Sequence, residues 1–287
     1  MNTHETHIAR ADREAAKRLA ATDSPFTIEV EFLGGLSETQ RNAFKKAADR
    51  WARVIVGDLP NVDIGRGRIV DDLLVRAKGE VIDGIGTTLG ETSMDLLRPP
   101  GSGPTALLPV TATMSFDTAD LAAMEAEGIL VDVITHEMGH ALGIGGEIWM
   151  RKRLLLHPGS SNPVFVGPQA QVEFAALVDG GAPRPVPVEN TGGAGTADAH
   201  WRETVFDNEL MTGFVNRSKN PLSRVTAASL QDIGYIVDLD AADPYELPNH
   251  FELAVSGRVH ARTAPIDRGV VIHNAPEVMP AERVLAA

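Results

Sequence analysis

An α+β fold is what the sequence predicts: a twisted mixed sheet carrying two long helices, followed by an irregular carboxy-terminal part. Three observations lead there. Phe26-Thr-Ile-Glu-Val-Glu-Phe32 alternates apolar and polar residues, the period-two mark of a half-buried strand. Two longer stretches, beginning near Ser37 and Ile129, repeat apolar residues at helical spacing instead. After Gly143 both patterns lapse into a segment dense in Gly and Pro. With 287 residues, 43% of them hydrophobic and 23% charged, the chain can bury a substantial core in one large domain or two small ones.

Taken in order, residues 4–21 are rich in Ala, Arg and Glu and read as a short helix or a frayed extension. The strand at 26–32 follows. Ser37 then caps a helix with Gln40 at the capping-box position, and Phe44, Ala47, Ala48, Trp51, Val54 and Ile55 form its apolar face before Gly57 ends it. Residues 73–77 and 111–116 are the next strands, and a second helix covers 120–127. The third helix, from Ile129 to Gly143, places Val131, Ile134, Met138, Ala141 and Leu142 on helical spacing. Beyond it lie a short helical piece at 169–178, a long irregular stretch around 183–195, and a helix from Arg224 to Ile233 stopped by Gly234. From His250 onward the pattern is weak and reads as a strand-and-loop tail.

Charge and composition remove several classes of function. With 26 Lys and Arg against 39 Asp and Glu, the net charge is −13, which repels phosphate backbones and anionic lipid and argues against a nucleic-acid partner. There is no cysteine, so disulfides, thiolate metal sites and a cysteine nucleophile are excluded. Neither a signal-peptide run at the amino terminus nor a transmembrane segment is evident, so the expectation is a soluble chain, cytoplasmic or exported by a signal-independent route.

His136-Glu137-Met138-Gly139-His140 carries the sharpest chemistry. Two histidines at i and i+4 share one helix face, so both imidazoles can reach one tetrahedral zinc ion. Glu137 is turned about 100° away. It is placed to act as general base on a zinc-activated water rather than to ligate. A catalytic zinc takes a third protein ligand. His200 is the candidate, at the end of the Gly-rich stretch, with His157, Glu173 and Glu203 as rivals. The remaining histidines, His4, His7, His250, His260 and His273, read as solvated.

His136-Glu-Met-Gly-His-Ala-Leu-Gly143, the long insertion, His200-Trp-Arg-Glu, Asn208-Glu-Leu-Met211-Thr-Gly and the segment Asn220 to Tyr235 together resemble the leishmanolysin-like metzincin peptidases. The resemblance covers roughly residues 26–248. It implies a metzincin-like zincin fold and a zinc-dependent endopeptidase acting on protein or peptide substrates. His136, His140 and His200 would bind Zn2+, Glu137 would be the general base, and Met211 would form the Met-turn. The organisation expected is an amino-terminal extension (1–24), an upper catalytic subdomain (25–143), a lower one holding the third ligand and Met-turn (144–248), and a tail (249–287). Extended peptide is expected to pair with an edge strand near residues 111–116.

The chain departs from the pattern in places. The sixth residue beyond His140, where compact metzincins carry their third ligand, is Gly146. A cysteine-switch latency is excluded, and Phe214 stands where a tyrosine would follow the Met-turn. Asp238, Asp240, Asp243 and Glu246 do not match a calcium loop. The glycines at 84, 86 and 90 miss the dinucleotide spacing and read as a loop. Two rival readings stay open: a non-catalytic zinc-containing binding or adhesion module, and a gluzincin-type peptidase with Glu173 as third ligand.

Overall fold

The computed structural model describes residues 4–86, 89–193, 195–214, 219–249, 270–273 and 276–285. Its main sheet has seven strands: β1 (Glu5–Arg10), β2 (Thr27–Gly34), β3 (Leu73–Glu80), β4 (Gly90–Leu97), β5 (Pro109–Asp117), β6 (Val270–His273) and β7 (Glu277–Val278). In space the order is β1-β2-β3-β5-β4-β6, with β7 also on β4. β2, β3 and β5 run parallel, whereas β1 and β4 are antiparallel to their neighbours β2 and β5. β6 and β7 join β4 in parallel. The sheet is mixed, within an α+β fold.

The helices are α1 (Arg13–Ala20), α2 (Glu38–Val54), α3 (Thr118–Glu127), α4 (Leu130–Ala141), α5 (Gly146–Arg151), α6 (Pro168–Val178), α7 (Glu203–Phe206) and α8 (Arg224–Ile233). α2 starts at a full capping box, with the Ser37 hydroxyl accepting the Gln40 N–H and the Gln40 side chain accepting the Ser37 N–H. Its apolar face buries Phe44, Ala47, Ala48 and Trp51 between the sheet and α4. The Trp51 indole N–H donates to the Thr135 carbonyl at 2.8 Å, pinning α4 against α2. α4 is buried on every side from Val133 to Ala141. Below it, Trp149, Phe165, Phe174, Trp201 and Phe206 form a continuous aromatic cluster, with Trp149 and Trp201 stacked at 4.9 Å between ring centres.

Four sequence expectations are corrected. Residues 5–10 form a strand rather than helix or frayed chain, and helix is confined to Arg13–Ala20. The free edge of β2 recruits this segment and buries Ala9, so pairing overrides a helix-rich composition. Residues 111–116 do not form an edge, because β5 lies between β3 and β4. The glycine-rich stretch does not end in a loop: Gly90 opens β4, whose outer edge is taken by β6 and β7. His7 bonds Asp49 at 3.0 Å instead of standing free in solvent. His4 is exposed, while His250 and His260 lie outside the described residues. Among the described residues no helix is long and apolar enough to cross a membrane.

Candidate metal centre

α4 presents His136 and His140 one turn apart, and their Nε2 atoms lie 3.0 Å from each other. His200 Nε2 lies 3.0 Å from both. The three nitrogens therefore form a triangle close to the roughly 3.3 Å spacing that imidazoles keep around one tetrahedral zinc at about 2.0–2.1 Å. The opposite nitrogens explain how the rings are held. Nδ1 of His136 meets the Leu210 carbonyl at 2.6 Å, that of His140 meets the Ile144 carbonyl at 2.8 Å, and that of His200 meets the Thr196 carbonyl at 3.0 Å. A carbonyl can only accept, so each Nδ1 carries the proton and each Nε2 points a lone pair inward. Three lone pairs converging in a buried space repel unless a cation sits among them, so the donor set fits a metal ion. Burial, reinforced by the neighbouring rings, holds His136 well below the ordinary imidazole range, and burial brings His200 down to about 4. Both rings are thus neutral at physiological pH.

Local sequence brings each of these histidines into place. Gly143, at φ +100°, turns the chain directly after α4, so that the Ile144 carbonyl folds back onto the His140 ring. His200 arrives at the end of the Gly-rich stretch, clamped by Glu189. The Glu189 N–H donates to the His200 carbonyl at 2.8 Å, and the Asp198 N–H donates to the Glu189 carbonyl at 2.9 Å. The Glu189 carboxylate also accepts from Asn190, Thr191 and Glu203. Burial alone would raise this carboxyl, and these hydrogen bonds bring it net below its ordinary value.

Glu137 is fully buried beside the triangle, and the Thr92 hydroxyl of β4 donates to its Oε2 at 3.0 Å. Met211 is also fully buried, directly against α4. A Cβ on Gly139 would lie 2.7 Å from the Met211 sulfur and 3.0 Å from the Trp51 ring, so any side chain there would displace the methionine. His157 is exposed, Glu203 opens α7, and Glu173 is held by Arg224 at 2.8 and 3.1 Å; none joins the triangle. Asp238, Asp240 and Asp243 pair with Arg18, Arg224 and Arg50. A second acidic grouping, Asp58, Asp71 and Asp72, lies beside β2, and the Asp72 oxygens there accept from Thr27 and Leu59.

A pocket of about 190 Å³ opens against His140, lined by Met94, Ile144, Gly146, Met150 and Ala199. Two larger hollows, of about 490 and 470 Å³, centre on Asp243 and Pro244 and include none of the three histidines. Volume is a poor guide here, and the small pocket is the one that adjoins the centre. Sequence reasoning missed Thr92, Glu189 and Glu209. Only Thr92 had a legible signal, since Thr92, Met94 and Leu96 alternate with Glu91, Ser93 and Asp95.

Residues 105–248, half of the chain, match the profile of the leishmanolysin peptidase family. The chain belongs to the leishmanolysin family. Leishmanolysin of Leishmania tropica is similar to it, at 26% identity over 133 residues. Those residues are 44% of this chain and 20% of that protein, so the chain spans only a fraction of its relative's length. The leishmanolysin match contains α4, His200, Met211 and α8, and leaves out β1–β4, α2 and the tail strands.

Proposed function

We propose that the chain is a zinc-dependent endopeptidase of metzincin type, with His136, His140 and His200 as metal ligands, Glu137 as general base and Met211 as the floor of the site. The observation that carries this reading is the triangle of inward-facing Nε2 atoms, each backed by a carbonyl on Nδ1. Bound there, zinc would polarise a scissile carbonyl and lower the pKa of a water to about 7. Glu137 would take a proton from the attacking water on its carboxylate and return it to the leaving amine nitrogen. Thr92 fixes the carboxylate by donating to Oε2. Burial of Glu137 keeps competing water away from the transfer. Met211 against Gly139 keeps α4 and the turn in contact beneath the rings.

Met94, Ile144 and Met150 offer apolar surface to a medium-sized substrate side chain, beside Glu147 and Asp198, which also line the pocket. The upper and lower subdomains, dividing after Gly143, would bound the cleft. Glu173, engaged with Arg224, does not support the gluzincin assignment. The test is cleavage of an unstructured protein by wild type and Glu137→Ala, each with and without a zinc chelator. Cleavage lost in the variant and in the chelated wild type, and restored to the latter by zinc, is the expected result. Absence of cleavage by folded, zinc-loaded wild type would overturn it in favour of a non-catalytic zinc module.

A further inference from the structure

Glu209 is not one of the three histidines' ring partners, yet its carboxylate ties the turn at Met211 to the start of α8 and, through Thr226, to Trp201. It is fully buried. Oε2 accepts the Met211 backbone N–H at 2.6 Å. Oε1 accepts the Ser223 N–H at 3.0 Å, the Ser223 hydroxyl at 2.7 Å and the Thr226 hydroxyl at 2.5 Å. Ser223 is the N-cap of α8, so the carboxylate also sits where the helix dipole favours negative charge. The Thr226 hydroxyl, its single proton given to Glu209, accepts the Trp201 indole N–H at 2.7 Å. Trp201 follows His200 directly, and its backbone N–H donates to the Met211 carbonyl at 3.0 Å.

A carboxylate buried without exposure is costly unless donors surround it, and four donors from two segments, the turn at Met211 and the start of α8, do so here. What they fix is the backbone from Glu209 to Met211. Between those two residues lies Leu210, whose carbonyl is the 2.6 Å partner of His136 Nδ1. We infer that Glu209 is a positioning residue for the metal centre: one carboxylate locks the Met-turn and, through Thr226 and Trp201, the segment bearing His200, and so keeps the His136 and His200 rings turned with Nε2 inward. The inference rests on the proposed reading of the three histidines as a metal site.

The test uses the full chain and Glu209→Gln, which preserves size but sets an amide N–H against one of the four donors. Three quantities are compared: zinc affinity by chelator competition, the visible absorption of the cobalt-loaded protein, and the ring-nitrogen shifts of His136 in metal-free protein. Leu73→Ala, a core truncation in β3, serves as a control for general destabilisation. The expected result is a folded Glu209→Gln with affinity lowered about 10- to 100-fold, shifted cobalt bands, and a His136 that no longer holds a single Nδ1–H tautomer. Leu73→Ala should leave all three unchanged. Glu209→Gln with a lower melting temperature but wild-type affinity, bands and tautomer would overturn the inference. Should Glu209→Gln fail to fold, Ser223→Ala and Thr226→Val each remove one hydroxyl donor, and graded losses of affinity are then expected. A wild type that takes up no zinc would overturn the metal-site reading instead, and the His136 tautomer would still decide the role of Glu209.

Discussion

Gly139 and Met211 offer a quantitative handle on the centre through a double-mutant cycle. In Gly139→Ala the new methyl would lie 2.7 Å from the Met211 sulfur, 2.9 Å from its terminal carbon and 3.0 Å from the Trp51 ring. Replacing a helix glycine by alanine gains about 1 kcal/mol of helix propensity. Overpacking a dense core costs about 1–3 kcal/mol, so the net effect is a loss of up to about 2 kcal/mol. Met211→Ala alone opens a cavity beneath α4 and should cost about 2–5 kcal/mol. In the double variant the methyl added at position 139 enters space that the methionine side chain has vacated, while the Trp51 contact persists. The pair should therefore be less destabilised than the sum of the singles, by about 1–2 kcal/mol. Urea unfolding of the four metal-free proteins measures each corner. Additivity within about 0.5 kcal/mol, or a Gly139→Ala variant about 1 kcal/mol more stable than wild type as at an exposed helix site, would refute the packing argument.

Thr92→Val removes the hydroxyl that orients Glu137; proteolytic rate should fall about 10-fold while the unfolding midpoint moves little, as read by peptide cleavage and thermal melts. In metal-free protein His136 and His200 stay neutral, whereas their unfolded counterparts bind protons near pH 6.5, so stability is present above that pH and is lost as pH falls toward 4. For His200 alone the drop from 6.5 to about 4 corresponds to about 3 kcal/mol, and His200→Gln should flatten the curve of stability against pH over that window. Arg98→Met strands the buried carbonyls of Pro109 and Asp72 and the half-buried one of Pro60, all of which accept from its guanidinium; urea titration should show a loss of at least about 3 kcal/mol.

The parts of the site that sit on regular helix were legible from residue order alone. His136 and His140 share a face because of helical periodicity, and Gly143 marks the turn that returns Ile144 to His140. His200 was visible only as a motif, because 59 residues, most of them loop around the short helices α5 and α6, separate it from His140 and no local rule gives their path. The carboxylates that lock the centre were invisible for another reason. Glu189 and Glu209 look like any surface acid until the donors around them are known, and those donors come from segments up to 17 positions away. In the sheet, β1 is illegible because its strand character comes from β2, not from its own residues.

The placement of β6 and β7 also bears on how the molecule comes to be made. They close the edge of β4 across about 180 residues of sequence, and β7 is followed by Met279, which is buried in a small core with Val62, Val70, Leu74 and Val110. A ribosome delivers them long after β4, α4 and the histidines have emerged, and contacts so distant in sequence are slow to form. Throughout that interval the nascent chain carries an open strand edge next to Thr92 and Met94, the kind of surface that invites pairing with other chains. Chains cut short before residue 270 should therefore aggregate more readily than they degrade into harmless fragments. The last strands act as the closing stitch of the fold.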